Sequence, residues 1–143
     1  MLDYIVRHTK AYLEERSKGD RKLIGQFFTP REIAEYMAGL FDVPQKEVIR
    51  ILDPGAGSGI LSAALIERIW KVKCVKKIEL VCYENNPCII PLLQANLSYI
   101  QEASEIAFAY EIVAENYITS QGEDFEGMLG GQQKLAGYFD CVI

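Results

Sequence analysis

The stretch VIRILDPGAGSGIL, residues 48–61, decides the fold class of this chain. Its β-branched start predicts a strand, and the apolar positions after the glycines predict a helix. Gly55, Gly57 and Gly59 lie between the two elements, where backbone N–H groups at the positive end of the helix dipole can approach a ligand. Asp53 lies at the carboxyl end of the strand, where parallel α/β sheets bind their ligands. The stretch therefore predicts a ligand-binding strand–turn–helix unit.

Several interpretations of this glycine loop are open. A tight strand-to-helix turn without a ligand is one of them, because a glycine motif by itself is unspecific. The dinucleotide fingerprint G-x-G-x-x-G is disfavoured, since the third glycine comes one residue early and Ile60 occupies the sixth position. A phosphate-binding Walker loop requires Gly-Lys-Ser or Gly-Lys-Thr, which the stretch lacks. A short loop preceded by an acid favours an amino-acid-like ligand with a cationic ammonium group over a pyrophosphate.

A second acid follows the next predicted strand. KIELVCYE, residues 77–84, ends on Glu84. An acid at the end of the second strand of a βαβ unit can accept hydrogen bonds from both hydroxyls of a ribose. The alternative is an acid at a strand end or helix N-terminus, which the helix dipole favours without any ligand. The glycine loop at the matching place favours the ribose-binding interpretation.

Strands and helices alternate along the rest of the chain. NPCIIPLLQANLSYIQEAS predicts a second helix, FAYEIVAENYI a third strand and YFDCVI a fourth strand, with the acidic, glycine-rich SQGEDFEGMLGGQQKLAG as a loop before the last. This alternation predicts an α/β fold with a Rossmann-like, doubly wound sheet of four parallel strands. We predict an N-terminal helical segment at residues 1–46 and a sheet domain at residues 47–143.

Two helices are predicted before the first strand. Residues 2–20 have apolar positions at helical spacing, and a Gly-Asp pair ends them. In the second helix Thr29 is predicted as the N-cap and Pro30 as the first helical residue, and Glu32 completes a capping box. One predicted face carries its apolar residues, Ile33, Tyr36, Met37 and Leu40.

Composition limits the classes of function. The chain has 143 residues, half of them hydrophobic, and a formal net charge of −5. This charge disfavours a strong grip on a polyanion by these residues alone, because phosphate binding depends on Lys and Arg. The four cysteines form no CxxC pair and one histidine alone could join them, so we expect no metal site and a reducing, cytoplasmic compartment. No leader and no membrane-spanning apolar run is visible, so we expect no membrane partner.

Three motifs carry a resemblance to a known family. GQFFTP at residues 25–30, ILDPGAGSG at 51–59 and YENNP at 83–87 occur in this order. The chain thereby resembles the S-adenosylmethionine-dependent N6-adenine DNA methyltransferases of restriction-modification systems, of the kind found in type I modification subunits and Eco57I-like enzymes. The resemblance runs from about Gly25 to Ile143. It implies S-adenosylmethionine as the cofactor and a Rossmann-like methyltransferase sheet.

The resemblance also implies a role for each matching residue. Phe28 and Thr29 contact the methionine end of the cofactor. Asp53 and the turn after it hold the amino and carboxylate groups of the cofactor. Glu84 binds the ribose hydroxyls, and Asn85 lies along the adenine. The implied residues of the turn are Pro54, Gly55, Ala56, Gly57, Ser58 and Gly59.

The end of the third predicted strand matches the family less closely. The family usually has an Asp there, which accepts a hydrogen bond from the adenine amine of the cofactor, followed by an aromatic residue. In VAENYI, Asn116 and Tyr117 match these places, with an amide oxygen instead of the carboxylate. Glu115 is the alternative acceptor if the register is one residue different. Tyr117 could equally be an ordinary packing residue of the strand.

The resemblance also has consequences for catalysis and partners. In the family the fourth strand leads into an Asn-Pro-Pro-Tyr-type loop that binds a flipped adenine. The 143 residues do not contain this motif. We therefore expect an N-terminal fragment that has no catalytic residue and transfers no methyl group. Expected partners are double-stranded DNA, bound through the C-terminal part, a specificity or restriction subunit, and a second copy of the fragment paired along the apolar edge of YFDCVI.

Other classes of protein share parts of this pattern. Methyltransferases that act on RNA or on protein glutamine have the same kind of glycine loop. A methyltransferase-like module without activity, which holds a complex together, also fits the missing catalytic loop. The GQFFTP motif favours the DNA adenine interpretation, and the glycine spacing disfavours an NAD-dependent dehydrogenase.

Overall fold

A computed structural model describes residues 1–15, 28–120 and 138–143. Within these ranges four strands form one sheet in the order β3-β2-β1-β4, and all neighbouring strands are parallel. The predicted α/β fold with four parallel strands is confirmed. The described elements are α1 (Leu2–Glu14), α2 (Arg31–Gly39), β1 (Val48–Asp53), α3 (Ile60–Ile69), β2 (Lys77–Tyr83), α4 (Ile90–Ala103), β3 (Ala107–Val113), α5 (Tyr117–Ser120) and β4 (Cys141–Val142).

The central strand β1 is buried on both faces. Its last three residues, Ile51, Leu52 and Asp53, are all inaccessible to solvent or nearly so. Such consecutive burial is typical of a parallel strand covered by helices on both sides. Asp53 lies beside Cys82 in the register of β1 and β2. The turn after β1 and the residues after β2 therefore meet at the same edge of the sheet.

The two N-terminal helices pack onto the sheet domain. Leu2 and Ile5 of α1, together with Ala34 and Ala38 of α2, belong to the same buried cluster as the apolar residues of the strands. The Arg68 guanidinium of α3 donates to the backbone carbonyls of Gly39 and Phe41, both at 2.7 Å, and so holds the end of α2. One core thus joins the described residues before and after position 46, while the division into two domains there stays a prediction.

The start of α2 differs from the prediction. Pro30, with an extended ψ of 151°, is the N-cap, and its carbonyl accepts the first helical bond from the Ala34 amide at 3.0 Å. No side chain caps this helix. The predicted Thr29 cap and its capping box with Glu32 are therefore wrong. The helix begins one residue later than expected, which places Thr29 outside it.

The buried face of α2 also differs from the expectation. Ala34 and Ala38 are buried against α3, whereas Ile33, Tyr36 and Leu40 are exposed by 49%, 68% and 67%. The two alanines have side chains small enough for α2 to approach α3 closely. Helical spacing correctly predicted that the larger apolar residues share a face. That face points away from the core of the described chain.

Two strand predictions were too long. The third strand ends at Val113, because the Asn116 side-chain oxygen accepts the amides of Ile118 and Thr119 at 3.0 and 3.3 Å and starts the short helix α5. The fourth strand is limited to Cys141–Val142. Directly before it, the Asp140 amide donates to the Arg50 carbonyl at 2.8 Å, and the Asp140 carboxylate accepts the Arg50 amide at 2.9 Å. The predicted end of the first helix and the predicted acidic loop fall on residues 16–27 and 121–137, outside the described residues.

Two further findings concern the described residues only. None of their helices combines the length and the apolar character needed to cross a bilayer. The four cysteines, which all lie in described ranges, form no disulfide bond.

Candidate functional site

Two clefts open at the carboxyl edge of the sheet. The larger one, about 270 Å³, is lined by Pro54, Gly55, Tyr83, Glu84, Asn85, Glu115, Asn116, Tyr117 and Ile118. The smaller one, about 70 Å³, is lined by Phe28, Thr29, Gly55, Ala56, Gly57, Ser58, Ile60 and Leu61. Gly55 lines both clefts, so they adjoin at the glycine turn. The structure thereby brings eleven of the thirteen predicted site residues to one edge of the sheet, and the other two, Asp53 and Gly59, are buried and line neither cleft.

The physical reason for glycine differs among the three positions of the turn. Gly57 and Gly59 have φ values of +55° and +80°, in the left-handed region that side chains disfavour. A Cβ atom on Gly59 would lie 3.0 Å from the Leu93 Cδ1 atom of α4, so this glycine also lets α4 pack closely. A Cβ atom on Gly55 would meet no atom within 4 Å. Gly55 therefore keeps open the space that the two clefts share.

The backbone amides of the turn are anchored by the neighbouring strand. The Ala56 amide donates to the Tyr83 carbonyl at 3.0 Å, and the Gly57 amide donates to Glu84 Oε2 at 3.0 Å. Glu84 Oε1 accepts the Asn86 amide at 2.8 Å. A carboxylate has about four acceptor positions, so Glu84 retains capacity for a ligand in the cleft that it lines. Its bonds to the turn go beyond those of an acid that only marks a strand end or a helix N-terminus.

Asp53 is buried beneath the turn. It is 1% exposed, and its carboxylate accepts the Ser62 hydroxyl at 2.6 Å and the Gly55 amide at 3.4 Å. The pKa of Asp53 is raised to about 6, mainly by burial and to a smaller extent by the nearby Glu84 carboxylate, against the two hydrogen bonds, which lower it. Asp53 lines neither cleft, so in this structure it acts on the turn from below. Its predicted contact with the cofactor stays a prediction.

The end of β3 forms the far wall of the larger cleft. The rings of Tyr83 and Tyr117 meet edge to face, with centroids 5.0 Å apart and planes at 77°. Asn116 uses its side-chain oxygen to cap α5, which occupies the atom that was predicted to accept the adenine amine. Glu115 lines the same cleft and is exposed. The Glu115 carboxylate is thus the more available of the two oxygens, and the choice between Asn116 and Glu115 as the acceptor stays a prediction.

Three polar residues of the site were missed by the sequence reasoning. Ser62 binds the Asp53 carboxylate from the first turn of α3. Asn96 of α4 is fully buried, donates to the Ser58 carbonyl at 2.8 Å and accepts from His8 of α1 at 2.7 Å. A signal for Asn96 was present, because it is a lone polar residue among the buried leucines at 93 and 97. Buried polar groups need partners, which points to a specific contact.

Two observations bear on what this edge can bind. Among the described residues, no group of three or more His, Cys, Asp or Glu side chains is placed to hold a metal ion. The Ser58 hydroxyl is buried and has no hydrogen-bond partner among the described residues, although Ser58 lines the smaller cleft. A buried hydroxyl without a partner is costly, so this atom marks a place where a polar ligand group would be favourable.

The fold and the edge site together define an α/β protein with a Rossmann-like methyltransferase fold. The family model described as N-6 DNA Methylase matches residues 10–125, and the chain belongs to this family. It is 32% identical over 95 residues to the Type II methyltransferase M.BsuBI of Bacillus subtilis. The match covers 66% of this chain and 18% of that relative, so the chain spans less than a fifth of the relative's length.

Proposed function

We propose that this chain is the cofactor-binding part of a DNA adenine-N6 methyltransferase of a restriction-modification system, and that its two clefts hold S-adenosylmethionine. One observation carries the proposal: the clefts adjoin at Gly55, so a single elongated ligand can occupy both. Membership of the N-6 DNA Methylase family supports it. The printed name of the relative, a Type II methyltransferase, supports the restriction-modification context.

The smaller cleft suits the methionine end of the cofactor. Ile60 and Leu61 begin helix α3, where the first backbone N–H groups have no intrahelical acceptor and can bind a carboxylate. The buried Ser58 hydroxyl adds a polar partner. The carboxylates of Asp53 and Glu84, both at least nine-tenths buried, give this edge a negative potential that favours the cationic ammonium and sulfonium groups.

The larger cleft suits the adenosine end. Glu84 lies at the end of β2 with acceptor capacity left for ribose hydroxyls. Tyr83 and Tyr117 supply an aromatic wall for a purine, and Glu115 supplies an exposed carboxylate for the exocyclic amine. When bound, the cofactor supplies an activated methyl group on its sulfonium. In this proposal the residues of the two clefts bind and orient that cofactor.

The acceptor chemistry belongs to the whole protein. We propose that the target is the N6 amine of an adenine flipped out of double-stranded DNA, and that an Asn-Pro-Pro-Tyr-type loop outside these 143 residues positions it. The net charge of −5 supports a division of labour in which other residues contact the phosphates. A specificity or restriction subunit and a second copy of the chain, paired along β4, are further proposed partners.

Isothermal titration with S-adenosylmethionine tests the proposed site. We expect one molecule bound per chain and weaker binding in Gly55→Leu, whose side chain would extend into the shared space. The melting temperature of Gly55→Leu should stay close to that of the parent, because a Cβ atom there meets no neighbour and φ is not positive. Leu61→Met, a swap of similar volume at the wall of the smaller cleft, is the matched control and should bind nearly as well.

Two results would contradict the proposal. A folded sample that shows no heat of binding at millimolar cofactor would remove the cofactor site. Methyl transfer to DNA by the 143 residues alone would show that the acceptor chemistry does not depend on a loop outside them.

A further inference from the structure

A chain of hydrogen bonds connects the N-terminal helix to the glycine turn. His8 Nδ1 of α1 lies 2.7 Å from Asn96 Oδ1, and Asn96 Nδ2 of α4 lies 2.8 Å from the Ser58 carbonyl oxygen. The three residues are 88 and 38 positions apart along the sequence, so only the folded structure brings them together. Asn96 is fully buried, and the His8 ring is partly buried.

The chemistry of each group decides which atom is the donor and which the acceptor in these hydrogen bonds. A carbonyl oxygen only accepts, so the Ser58 carbonyl requires the amide nitrogen of Asn96 as donor. The Asn96 oxygen then faces His8 and accepts, which requires a proton on His8 Nδ1. In its neutral form the ring is therefore the Nδ1–H tautomer. Tyr4, whose ring centroid is 5.6 Å from that of His8 and which stacks on Tyr99 of α4, holds the imidazole in this orientation.

The last hydrogen bond of this series is made to the peptide group that gives the glycine turn its shape. The peptide between Ser58 and Gly59 has its carbonyl bound to Asn96, and its N–H group donates to the Ala56 carbonyl at 2.7 Å. Both sides of this peptide plane are thus fixed next to Gly59, where φ is +80°. A peptide held on both sides cannot rotate without breaking a bond to a buried group, which is costly.

We propose that His8 and Asn96 are positioning residues that lock the glycine turn in its ligand-binding conformation, so that helix α1 acts on the cofactor site without touching it. The inference rests on the proposed function for its effect on affinity. A turn that populates its binding conformation only part of the time binds with an affinity reduced by that fraction. Removing the lock weakens binding although every cleft-lining residue stays in place.

The first experiment measures the tautomer of the sole histidine in the chain. Two-dimensional ¹⁵N NMR of the histidine side chain, in slightly alkaline buffer without ligand, separates protonated from bare ring nitrogens. The inference expects the proton on Nδ1 and the bare nitrogen at Nε2. A ring protonated on Nε2, or one whose nitrogens show averaged signals, would overturn it. This readout does not depend on any ligand.

The second experiment separates positioning from simple packing. His8→Ala should weaken S-adenosylmethionine binding about fivefold, the equivalent of one hydrogen bond, measured well below the melting temperature. His8→Gln keeps an N–H donor in reach of Asn96 and should recover most of that loss. Thr9→Val is the matched control on α1, because the buried Thr9 hydroxyl has no partner among the described residues. Its affinity should equal that of the parent.

The outcomes distinguish this inference from the proposed function. A lower melting temperature in His8→Ala with unchanged affinity would reduce His8 to a packing residue and overturn the inference. Without detectable binding by the parent, the proposed function fails, and amide hydrogen exchange at Gly59 then tests the lock. Faster exchange at Gly59 in His8→Ala than in Thr9→Val supports the lock, and equal exchange overturns it.

Discussion

The two walls of the candidate site are built by different means. The glycine turn is held by buried groups, namely Asp53 directly before it, and Glu84 and Asn96 from other parts of the chain. The segment after β3 is held mainly by local bonds between exposed groups, from the Asn116 side-chain oxygen to the amides of Ile118 and Thr119, together with the contact of Tyr117 with Tyr83. Buried, non-local bonds open only with much of the fold, whereas local exposed bonds open by themselves. The first wall is preorganised and the second can adapt.

For the cofactor site proposed above, this difference suits the two walls to separate tasks. A preorganised turn offers a charged amino-acid group its partners without a cost of ordering. An adaptable wall next to an aromatic pair can close on a flat base after the ligand has entered. If the buried wall contributes more stability than the exposed one, changes at the glycine turn should have larger effects than changes at the end of β3.

The largest expected effect concerns the buried charge of Asp53. Its pKa is raised from 3.8 to about 6, so between these values the folded state binds more protons than the unfolded state. Raising the pH from about 3 to about 7 should therefore destabilise the parent by about 3 kcal/mol relative to Asp53→Asn, with little further change at higher pH. Urea unfolding of both proteins across this pH range measures the difference.

A companion variant sharpens this test. Ser62→Ala removes the hydrogen bond that lowers the pKa of Asp53, so the loss of stability should continue to higher pH than in the parent. Parallel stability curves for the parent and Asp53→Asn would show that the carboxyl group is not buried as described.

The next effect compares two glycines of the same turn. Gly59→Ala places a Cβ atom at a φ of +80° and 3.0 Å from Leu93, so we expect a loss of about 2 kcal/mol in the free energy of unfolding. Gly55→Ala, with open space and no positive φ, should stay within about 0.5 kcal/mol of the parent. Equal unfolding midpoints for the two variants would contradict the division of roles between these glycines.

The smallest effect is expected at the exposed wall. Asn116→Ala removes the cap of α5 and should cost about 1 kcal/mol, confined to this short helix. Hydrogen exchange should accelerate at the Ile118 and Thr119 amides, while the global unfolding midpoint stays nearly constant. Asn116→Asp keeps the acceptor oxygen and is the matched control. A large drop in global stability would contradict the difference between the two walls, because the end of β3 would then unfold together with the core.

The sequence predicted those features whose cause is local. The strand–turn–helix unit at residues 48–61 followed from a β-branched run, three glycines and an apolar helix. Two of these glycines do have positive φ, and Glu84 does contact the turn. Local backbone demands and hydrophobic periodicity are written in neighbouring residues, so they can be read without the fold.

Features that depend on tertiary packing could not be predicted from the sequence. Ile33 and Tyr36 share a face as predicted, but packing against α3 selects the alanines for burial. Asn116 ends its strand by capping a helix, a choice that propensity leaves open at a residue suited to both caps and turns. The link from His8 to Ser58 spans three separate parts of the chain, and no short pattern encodes it.

The Ala56 amide bonds to the Tyr83 carbonyl across the β1–β2 boundary. A ligand that binds to this turn can therefore bind only after β1 and β2 have paired. Once bound, it opposes the separation of the two strands. At a concentration of 100 times its Kd it would add about 2.7 kcal/mol to the stability of the whole sheet. Under the proposed function, the cofactor would therefore stabilise the folded protein in addition to supplying the methyl group.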